Sequence, residues 1–373
     1  MIKQQVTVKL PARETYSYPI FIAKNLLQNW QDWLPDYAKT KKIVIMTDKL
    51  VYKLIAKQFA ANLETAGYDV LLLYFAPGEE AKSFANFEYL LDEMLANKFD
   101  RHSLCLAIGG GVVGDLTGFV ASSFMRGIRY IQIPTTLLSM IDSSVGGKTA
   151  INSAHGKNLI GAFYQPSAVV MDVSLLKTLS KDQLINGLVE AIKIFLTCDA
   201  KYFQYALDNL DQILACNTEK MVEIIKCAVE LKAEVVAKDE REQNLRMILN
   251  FGHSVGHAVE KVSKFTIMHG YAVALGILVE AKVSFLLDIL SGDNYLLIEK
   301  LMQKLDISTE MLQPFKIDEI IAAMYGDKKN KAGDIYMILL ADIGQIKLSD
   351  GECVATIVKE DIIRQALSLI LKV

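Results

Sequence analysis

Residues 104–115 read L-C-L-A-I-G-G-G-V-V-G-D, and this segment decides how the first half of the chain folds. Its five apolar residues are typical of a short buried β-strand, and a helical stretch follows the glycines. Gly109, Gly111 and Gly114 satisfy the spacing G-x-G-x-x-G, in which the missing Cβ atoms let backbone N–H groups approach a pyrophosphate. The segment therefore predicts a strand, a tight turn and a helix, the repeating unit of a parallel α/β sheet.

Strands alternate with helices on both sides of this segment, and the alternation ends near residue 176. Strands are predicted at 43–47, 70–74, 104–108, 130–133 and 169–171, with helices near 50–66, 84–97 and 113–125. Beyond residue 176, helical periodicity dominates at 181–236, 253–263, 271–290, 293–304 and 317–325. We therefore predict an α/β protein with a Rossmann-like parallel-sheet domain at 1–176 and a mainly α-helical domain at 177–373. The active site is expected in the cleft between them.

Composition narrows the class of protein. Apolar residues make up 52% of the 373 residues, and the net charge of −3 offers no general attraction to nucleic acid or anionic membranes. The apolar stretch at 271–290 carries Glu280, Lys282 and Asp288, which favours a buried core helix over a membrane span. The five scattered cysteines and the absence of a secretion signal predict a cytoplasmic protein with reduced thiols.

The glycine loop alone leaves nucleotide binding and a simple packing turn both open. It follows the third predicted strand instead of the first, and no acidic residue stands about twenty positions on to hold a ribose. Three further polar segments follow predicted strands, namely Asp48, the turn at 77–82 and Thr135-Thr136. Carboxyl ends of parallel strands share one sheet edge, so together these loops favour a dinucleotide site.

Residues 139–166 form a long polar segment that we interpret as a functional loop without regular secondary structure. Its polar side chains are Asp142, Lys148, Asn152, Lys157 and Asn158. The string G-G-K-T at 146–149 lacks the spacing of an ATPase phosphate loop, because residue 142 is aspartate. A solvated surface turn is the alternative. Arg126 adds a further cation nearby in sequence.

Three histidines in one apolar stretch predict a metal or proton-transfer site. His253 and His257 are four residues apart and share a helix face, and His269 follows after a turn. Glu190 lies in a strongly apolar helix and is the carboxylate candidate for the same ion. A structural pair with Lys193 is the alternative for Glu190. His102 and His155 have no such company and are expected at the surface.

Seven strings, spread from about residue 48 to 344, together resemble the 3-dehydroquinate synthase family. They are G-G-G-V-V-G-D, I-P-T-T-L-L, D-S-S-V-G-G-K-T-A-I-N, G-K-N-L-I-G-A-F, E-A-I-K, L-N-F-G-H-S-V-G-H-A and D-K-K-N. The resemblance implies NAD as cofactor and one divalent metal, usually zinc, with cobalt as the alternative. It also implies a cytoplasmic homodimer that binds a small sugar phosphate and has neither nucleic acid nor membrane as a partner.

The resemblance also implies roles for individual residues. The metal ligands would be Glu190, His253 and His269, and His257 would face the substrate. The NAD contacts would be Asp48, Glu79, Lys82, Gly110, Gly111, Val112, Gly114, Asp115, Thr135, Thr136, Lys148 and Lys157. The substrate contacts would be Asp142, Lys148, Asn158, Lys193, Lys232, Arg246, Asn250 and His257. Arg126 would reach the phosphate across a dimer interface, and Lys328 or Lys329 would close the site.

The implied reaction converts 3-deoxy-D-arabino-heptulosonate 7-phosphate into 3-dehydroquinate and phosphate, a step of the shikimate pathway. It comprises transient oxidation by NAD, phosphate elimination, reduction, ring opening and an intramolecular aldol step.

Tyr271 and the run Ser139-Met140-Ile141 depart from residues common in the family. Related cyclases of glucose 6-phosphate or sedoheptulose 7-phosphate, and a metal-dependent polyol dehydrogenase, are the rival functions.

Overall fold

A computed structural model describes residues 16–326, 334–349 and 353–371. Its main sheet has six strands, all parallel, in the order β1-β8-β5-β4-β2-β3. These are β1 (Ile20–Ala23), β2 (Lys42–Asp48), β3 (Asp69–Phe75), β4 (Leu104–Gly109), β5 (Tyr130–Pro134) and β8 (Ala168–Asp172). The parallel Rossmann-like sheet is therefore confirmed, although the four-residue strand β1 was not predicted.

The central strands of the sheet are buried and apolar on both faces, as is typical of parallel sheets. In β2, Ile43 and Ile45 pack on one side of the sheet, while Val44 and Met46 pack on the other. All four side chains are fully buried. Helices or loops must therefore cover both faces, as doubly wound sheets require.

Four helices accompany the sheet. Helix α1 (Lys49–Val51) continues through a π-helical turn (Tyr52–Ala56) into α2 (Lys57–Thr65), and α3 (Phe84–Ala96) and α4 (Gly111–Ser123) follow. Strand order reverses at β2, since β3 lies on one side of it and β4 on the other. The glycine loop between β4 and α4 thus opens beside the point where ligands bind in open α/β sheets.

The segment 139–166 is more ordered than the sequence suggested. A π-helical turn (Ser139–Ser143) precedes an antiparallel hairpin of β6 (Lys148–Ser153) and β7 (Gly156–Phe163). The prediction of a loop without regular secondary structure was therefore wrong. Tertiary contacts hold the hairpin: Asn152 N–H donates to the carbonyl of Lys82 at 2.8 Å, and α4 packs against β6.

The remainder is mainly helical, as predicted, but the stretch 181–236 is divided among four helices. They are α5 (Lys181–Cys198), α6 (Ala200–Asp208), α7 (Leu210–Leu214) and α8 (Thr218–Lys238). Helices α9 (His253–Val262), α10 (His269–Leu286), α11 (Gly292–Lys304), α12 (Ile317–Tyr325) and α13 (Glu360–Leu371) follow. Short strands β9 (Ile335–Ile338), β10 (Leu340–Asp342), β11 (Gln345–Ile346) and β12 (Ala355–Val358) and the helix α13 were not predicted. The division between residues 176 and 177 stays a prediction.

Helix α10 is the apolar stretch in which we expected a core helix. It is long and apolar enough to cross a membrane, yet 72% of that window is buried inside the protein. Val273, Ile277 and Val279 are fully buried in the largest hydrophobic core. Helices α5 and α9 pack directly on α10, which brings the acidic and histidine-bearing segments together.

Candidate active site

Three predicted metal ligands meet where α5, α9 and α10 converge. Glu190, His253 and His269 each offer one ligand atom, and these atoms lie within 4.8 Å of one another. Oε1 of Glu190 is 3.4 Å from Nε2 of His269 and 3.8 Å from Nε2 of His253. Two imidazoles and one carboxylate with an open side match the donor set of a catalytic divalent metal site.

The carboxylate of Glu190 has one satisfied and one unsatisfied oxygen. Lys193 donates to Oε2, so the structural pair weighed from the sequence does form. Oε1 is fully buried and makes no hydrogen bond to the part of the chain that the structure describes. A buried carboxylate oxygen without a hydrogen bond costs free energy, whereas a cation bound between Oε1 and the two imidazoles would satisfy it. The residues present therefore fit a divalent metal.

Two carboxylates that the sequence did not single out as site residues position His269 and the start of the helix that begins at His253. Oε1 of Glu260 lies 3.2 Å from Nδ1 of His269, on the ring edge opposite the ligand atom. Glu280 is fully buried and accepts from the backbone N–H groups of Gly252, Ser254 and Val255 at the start of α9. Its negative charge stabilises the N-terminus of the helix that begins at His253. No local motif marks either glutamate.

Close packing brings α10 against α5. The N–H of Gly270 donates to Oδ1 of Asn186 at 2.6 Å, and a Cβ on Gly270 would lie 2.2 Å from the Asn186 carbonyl oxygen. Glycine is therefore required beside His269. At the next residue, the hydroxyl of Tyr271 donates to Asp182 at 2.9 Å, so this departure from the family adds a second tie between the helices.

His253 and His269 of this three-residue cluster line a cavity of about 350 Å³. The cavity also contains the predicted substrate residues, which the fold gathers from the π-helical turn at Ser139–Ser143, β6, β7, α5, α8, the segment 245–250 and α9. Its lining consists of Asp115, Asp142, Ser143, Val145, Lys148, Asn158, Lys193, Lys232, Glu242, Arg246, Leu249, Asn250, His253, His257 and His269. Glu242 was not predicted.

One predicted substrate contact, Arg126, lies away from this cavity. Arg126 is not among the residues of the described chain that line this cavity. It follows Met125 in a short 3₁₀ turn where both residues have positive φ, 49° and 67°. Lys328 and Lys329 lie outside the described residues, so their predicted closing role stays a prediction.

Buried ion pairs set the charge state of the cavity. Burial alone would raise the pKa of Asp142, but Lys232 and Lys193 outweigh it and hold that pKa well below the usual range. Burial lowers the pKa of Lys232, and the ion pair with Asp142 opposes this effect. Asp142 is therefore ionised. Its partner Lys232 lies beside Arg246, which donates to the carbonyl of Glu240 at 2.5 Å and to that of Gly146 at 3.3 Å.

The predicted NAD residues surround the glycine loop. Lys82 donates to Asp115 at 2.7 Å and also to Asn158 of the hairpin. A Cβ on Gly111 would lie 3.0 Å from the hydroxyl of Ser143, and one on Gly110 would lie 3.5 Å from Thr136. The loop is therefore tight, and it opens the thirteen-residue helix α4, whose start has no side-chain cap. Such a helix start fits a pyrophosphate.

Other predicted NAD residues have partners within the protein. Asp48 follows β2 and accepts from the N–H groups of Leu50 and Val51, which caps α1. Oε1 of Glu79 accepts from Asn152 at 2.9 Å, which ties the turn after β3 to the hairpin. Burial raises the pKa of Asp115 to about 6, even though Lys82 opposes that effect.

Two further predicted residues, His257 and Lys157, lie outside the cluster of Glu190, His253 and His269. The ring centroid of His257 lies 5.1 Å from that of His253 and 6.4 Å from that of His269. His257 lines the cavity and is outside the three-residue cluster. Lys157 places its ammonium 3.7 Å from the ring centroid of Phe265, in the segment between α9 and α10. The hairpin therefore contacts the histidine-bearing part of the chain.

The comparisons with known proteins assign this arrangement to a family. Residues 72–186 match the family model described as 3-dehydroquinate synthase N-terminal, and residues 187–330 match 3-dehydroquinate synthase C-terminal. The chain belongs to the 3-dehydroquinate synthase family. A 3-dehydroquinate synthase of Desulforamulus reducens is 40% identical over 333 residues, which cover 89% of this chain and 93% of the relative. That of Nostoc punctiforme is 37% identical over 97% of this chain and 98% of its own length.

Solved structures of other cyclases resemble this 3-dehydroquinate synthase family member over nearly its whole length. A 2-deoxy-scyllo-inosose synthase complexed with carbaglucose-6-phosphate, NAD+ and Co2+ has a TM-score of 0.84 at 25% identity, covering 93% of this chain and 95% of its own. A 2-epi-5-epi-valiolone synthase from Streptomyces hygroscopicus with NAD+ and Zn2+ has a TM-score of 0.85 at 28% identity. The latter comparison covers 98% of this chain and 99% of the cyclase.

Proposed function

We propose that this protein is a 3-dehydroquinate synthase that releases phosphate from 3-deoxy-D-arabino-heptulosonate 7-phosphate and closes the carbocycle. One observation carries the proposal. Glu190, His253 and His269 form one cluster, and its two histidines line a cavity together with four cationic side chains, beside a glycine loop at the sheet edge. The four cations are Lys148, Lys193, Lys232 and Arg246. Relatives that match at 37–40% identity carry this activity in their names.

NAD and a divalent metal fit the residues present. The turn from Gly109 to Gly114 and the neighbouring Lys82, Thr135 and Thr136 would hold NAD. Glu190, His253 and His269 would hold the metal, with zinc favoured and cobalt possible, because solved relatives contain Zn2+ or Co2+. When bound, NAD supplies a reversible hydride acceptor, and the metal polarises adjacent substrate oxygens.

The protein's own side chains orient an anionic substrate between these two groups. We assign binding of the substrate's phosphate to Lys148, Asn158 and Asn250. These residues lie on the hairpin and on the neighbouring 3₁₀ segment, and all three line the cavity. Lys232 and Arg246 are assigned to the substrate carboxylate. Both are nearly buried, and charge-assisted hydrogen bonds are stronger where water is scarce.

The carboxylates of Asp142 and Glu190 are poor candidates for a general base. Asp142 is ionised against Lys232, and Glu190 is ionised against Lys193 and faces the two metal-ligand histidines. A paired carboxylate with a lowered pKa accepts a proton weakly. We therefore assign the proton accepted during elimination to the departing phosphate, and assign to His257 a role in holding that phosphate.

The decisive experiment follows three products from one reaction. Purified protein with zinc, NAD and the heptulosonate phosphate should release phosphate and 3-dehydroquinate in equal amounts, with no accumulating NADH. Stoichiometric NADH would indicate a dehydrogenase instead. Turnover of glucose 6-phosphate or sedoheptulose 7-phosphate, without turnover of the heptulosonate phosphate, would indicate one of the related cyclases. His269→Ala should abolish both turnover and retention of zinc.

The remaining assignments concern assembly and location. We propose a cytoplasmic homodimer in which Arg126 of each protomer serves the site of its partner. This accounts for an arginine that stands in a strained turn, away from the cavity of its own chain. Sedimentation equilibrium would test the dimer, and a monomer with full activity would contradict it.

A further inference from the structure

Glu242 occupies two donors that the proposed function assigns to the substrate. Lys148 donates to its Oε2, and Nδ2 of Asn250 donates to its Oε1 at 2.8 Å. The carboxylate therefore bridges a cation on the hairpin and an amide on the 3₁₀ segment. These two donors converge on one anion, and a phosphate group needs the same convergent arrangement.

Lys148 is far more exposed than the lysines of the other ion pairs of the cavity, since Lys193 and Lys232 are 2% and 5% exposed. The side chains of Lys148 and Glu242 are 51% and 26% exposed. Those of Lys193 and Glu190 are 2% and 0% exposed. Breaking a buried pair is costly, whereas an exposed pair contributes little to stability and can be exchanged for another partner. An incoming anion can therefore displace Glu242 from Lys148 at small cost.

The chain around Glu242 supports such an exchange. The residue lies between the end of α8 at Lys238 and the 3₁₀ segment that begins at Leu245, and it has a φ of 58°. The carboxylate of Asp239 accepts from the N–H groups of Gln243 and Asn244, which anchors the turn through its backbone. The Glu242 side chain can thus rotate while the turn stays in place.

We propose that Glu242 is an internal counter-ion that competes with the substrate's phosphate for Lys148 and Asn250. It leaves these donors when phosphate arrives and returns to them when phosphate departs. The lowered pKa of Glu242, which Lys148 and Asn250 produce against the opposing effect of burial, keeps the competitor charged. This inference rests on the proposed function and adds a residue that limits phosphate affinity and so favours product release.

The alternative is that Glu242 only positions Lys148, and this role predicts the opposite change in phosphate affinity when the charge of Glu242 is removed. If its charge only held Lys148 in place, neutralising it would disorder the lysine and weaken phosphate binding. If it competes, neutralising it strengthens phosphate binding, because a rival anion is removed from the same donors. The sign of the change therefore separates the two roles.

The test measures binding of inorganic phosphate to the zinc- and NAD-loaded protein by isothermal titration calorimetry. Glu242→Gln keeps the shape and the oxygen acceptor, and we expect it to bind phosphate roughly three- to tenfold more tightly. Glu242→Ala should also bind phosphate more tightly. The matched control is Glu240→Gln, since Glu240 lies in the same turn and its carboxylate accepts from Gln165. The control should leave phosphate affinity unchanged.

The outcomes separate this inference from the proposed function. The counter-ion role alone would be overturned if both Glu242 variants bound phosphate equally or more weakly while Lys148→Ala still lost phosphate affinity. Phosphate binding that Lys148→Ala leaves unchanged would overturn the phosphate site and the inference together. Tighter binding in both Glu242 variants, accompanied by stronger product inhibition by phosphate during turnover, would support the competition.

Discussion

His269 is held between two carboxylates, with Glu260 3.2 Å from its Nδ1 and Glu190 3.4 Å from its Nε2. The Nε2 edge faces the proposed metal, and the Nδ1 edge is left to Glu260. A carboxylate behind a ligand histidine fixes the ring's orientation and tautomer and makes it a better donor to the metal. The relationship therefore gives Glu260 a positioning role that can be measured through metal affinity.

We expect Glu260→Gln to weaken zinc binding about 10- to 100-fold, because the amide cannot supply the charge behind the imidazole. Competition with a chelating dye would measure the affinity of the purified protein directly, without turnover. Lys261→Gln, one residue along the same helix and exposed, is the control. Unchanged zinc affinity in Glu260→Gln would remove Glu260 from the metal site.

Zinc binding should strengthen as pH rises. Burial lowers the pKa of His269, but Glu190 and Glu260 outweigh this effect. In the metal-free protein they raise the pKa of His269 to about 10. A ligand histidine must be neutral, so zinc has to displace a proton below that pH. The apparent affinity should increase up to about tenfold per pH unit and level off near pH 10. Affinity that does not change between pH 7 and pH 9, both below the raised pKa of about 10 for His269, would contradict this.

Glu280→Gln should destabilise the protein by about 2 kcal/mol or more, since hydrogen bonds to a buried charge are stronger than neutral ones. The amide keeps one acceptor oxygen, but Glu280 serves three backbone N–H groups with two. Urea unfolding of chelator-treated protein would measure the free energy of unfolding without a contribution from bound metal. The exposed Glu88→Gln on α3 should change that free energy by less than about 0.5 kcal/mol.

Mixing two inactive variants tests whether Arg126 acts across subunits. Arg126→Ala and His269→Ala should each have little activity alone. In a mixed dimer, one site would combine the intact His269 of one protomer with the intact Arg126 of the other. Unfolding and refolding the two together should therefore restore a substantial part of the activity. If the mixture stays as inactive as its components, Arg126 does not serve the neighbouring site.

The sequence by itself determined the architecture and most of the cavity's inventory. Continuous apolar runs such as 43–47 could only be strands buried on both faces, and the glycines after residue 108 marked the turn at the sheet edge. The sequence placed three histidines in one apolar stretch and an acid in an apolar helix, and the ligand atoms of Glu190, His253 and His269 lie within 4.8 Å of one another. The spacing alone paired His253 with His257, which lies outside this cluster, and only the resemblance to the family indicated His269 instead. Period and composition are local properties, so they can be read along the chain.

Only the tertiary structure decided how those residues are supported. The hairpin of β6 and β7 has glycine-interrupted and polar strands, and its pairing is held by contacts with Lys82 and α4 that lie far away in sequence. Glu242, Glu260 and Glu280 look like ordinary helix or turn acids until folding places them against Lys148, His269 and the start of α9. The reason is physical: a carboxylate's function depends on which donors reach it, and those donors come from other elements.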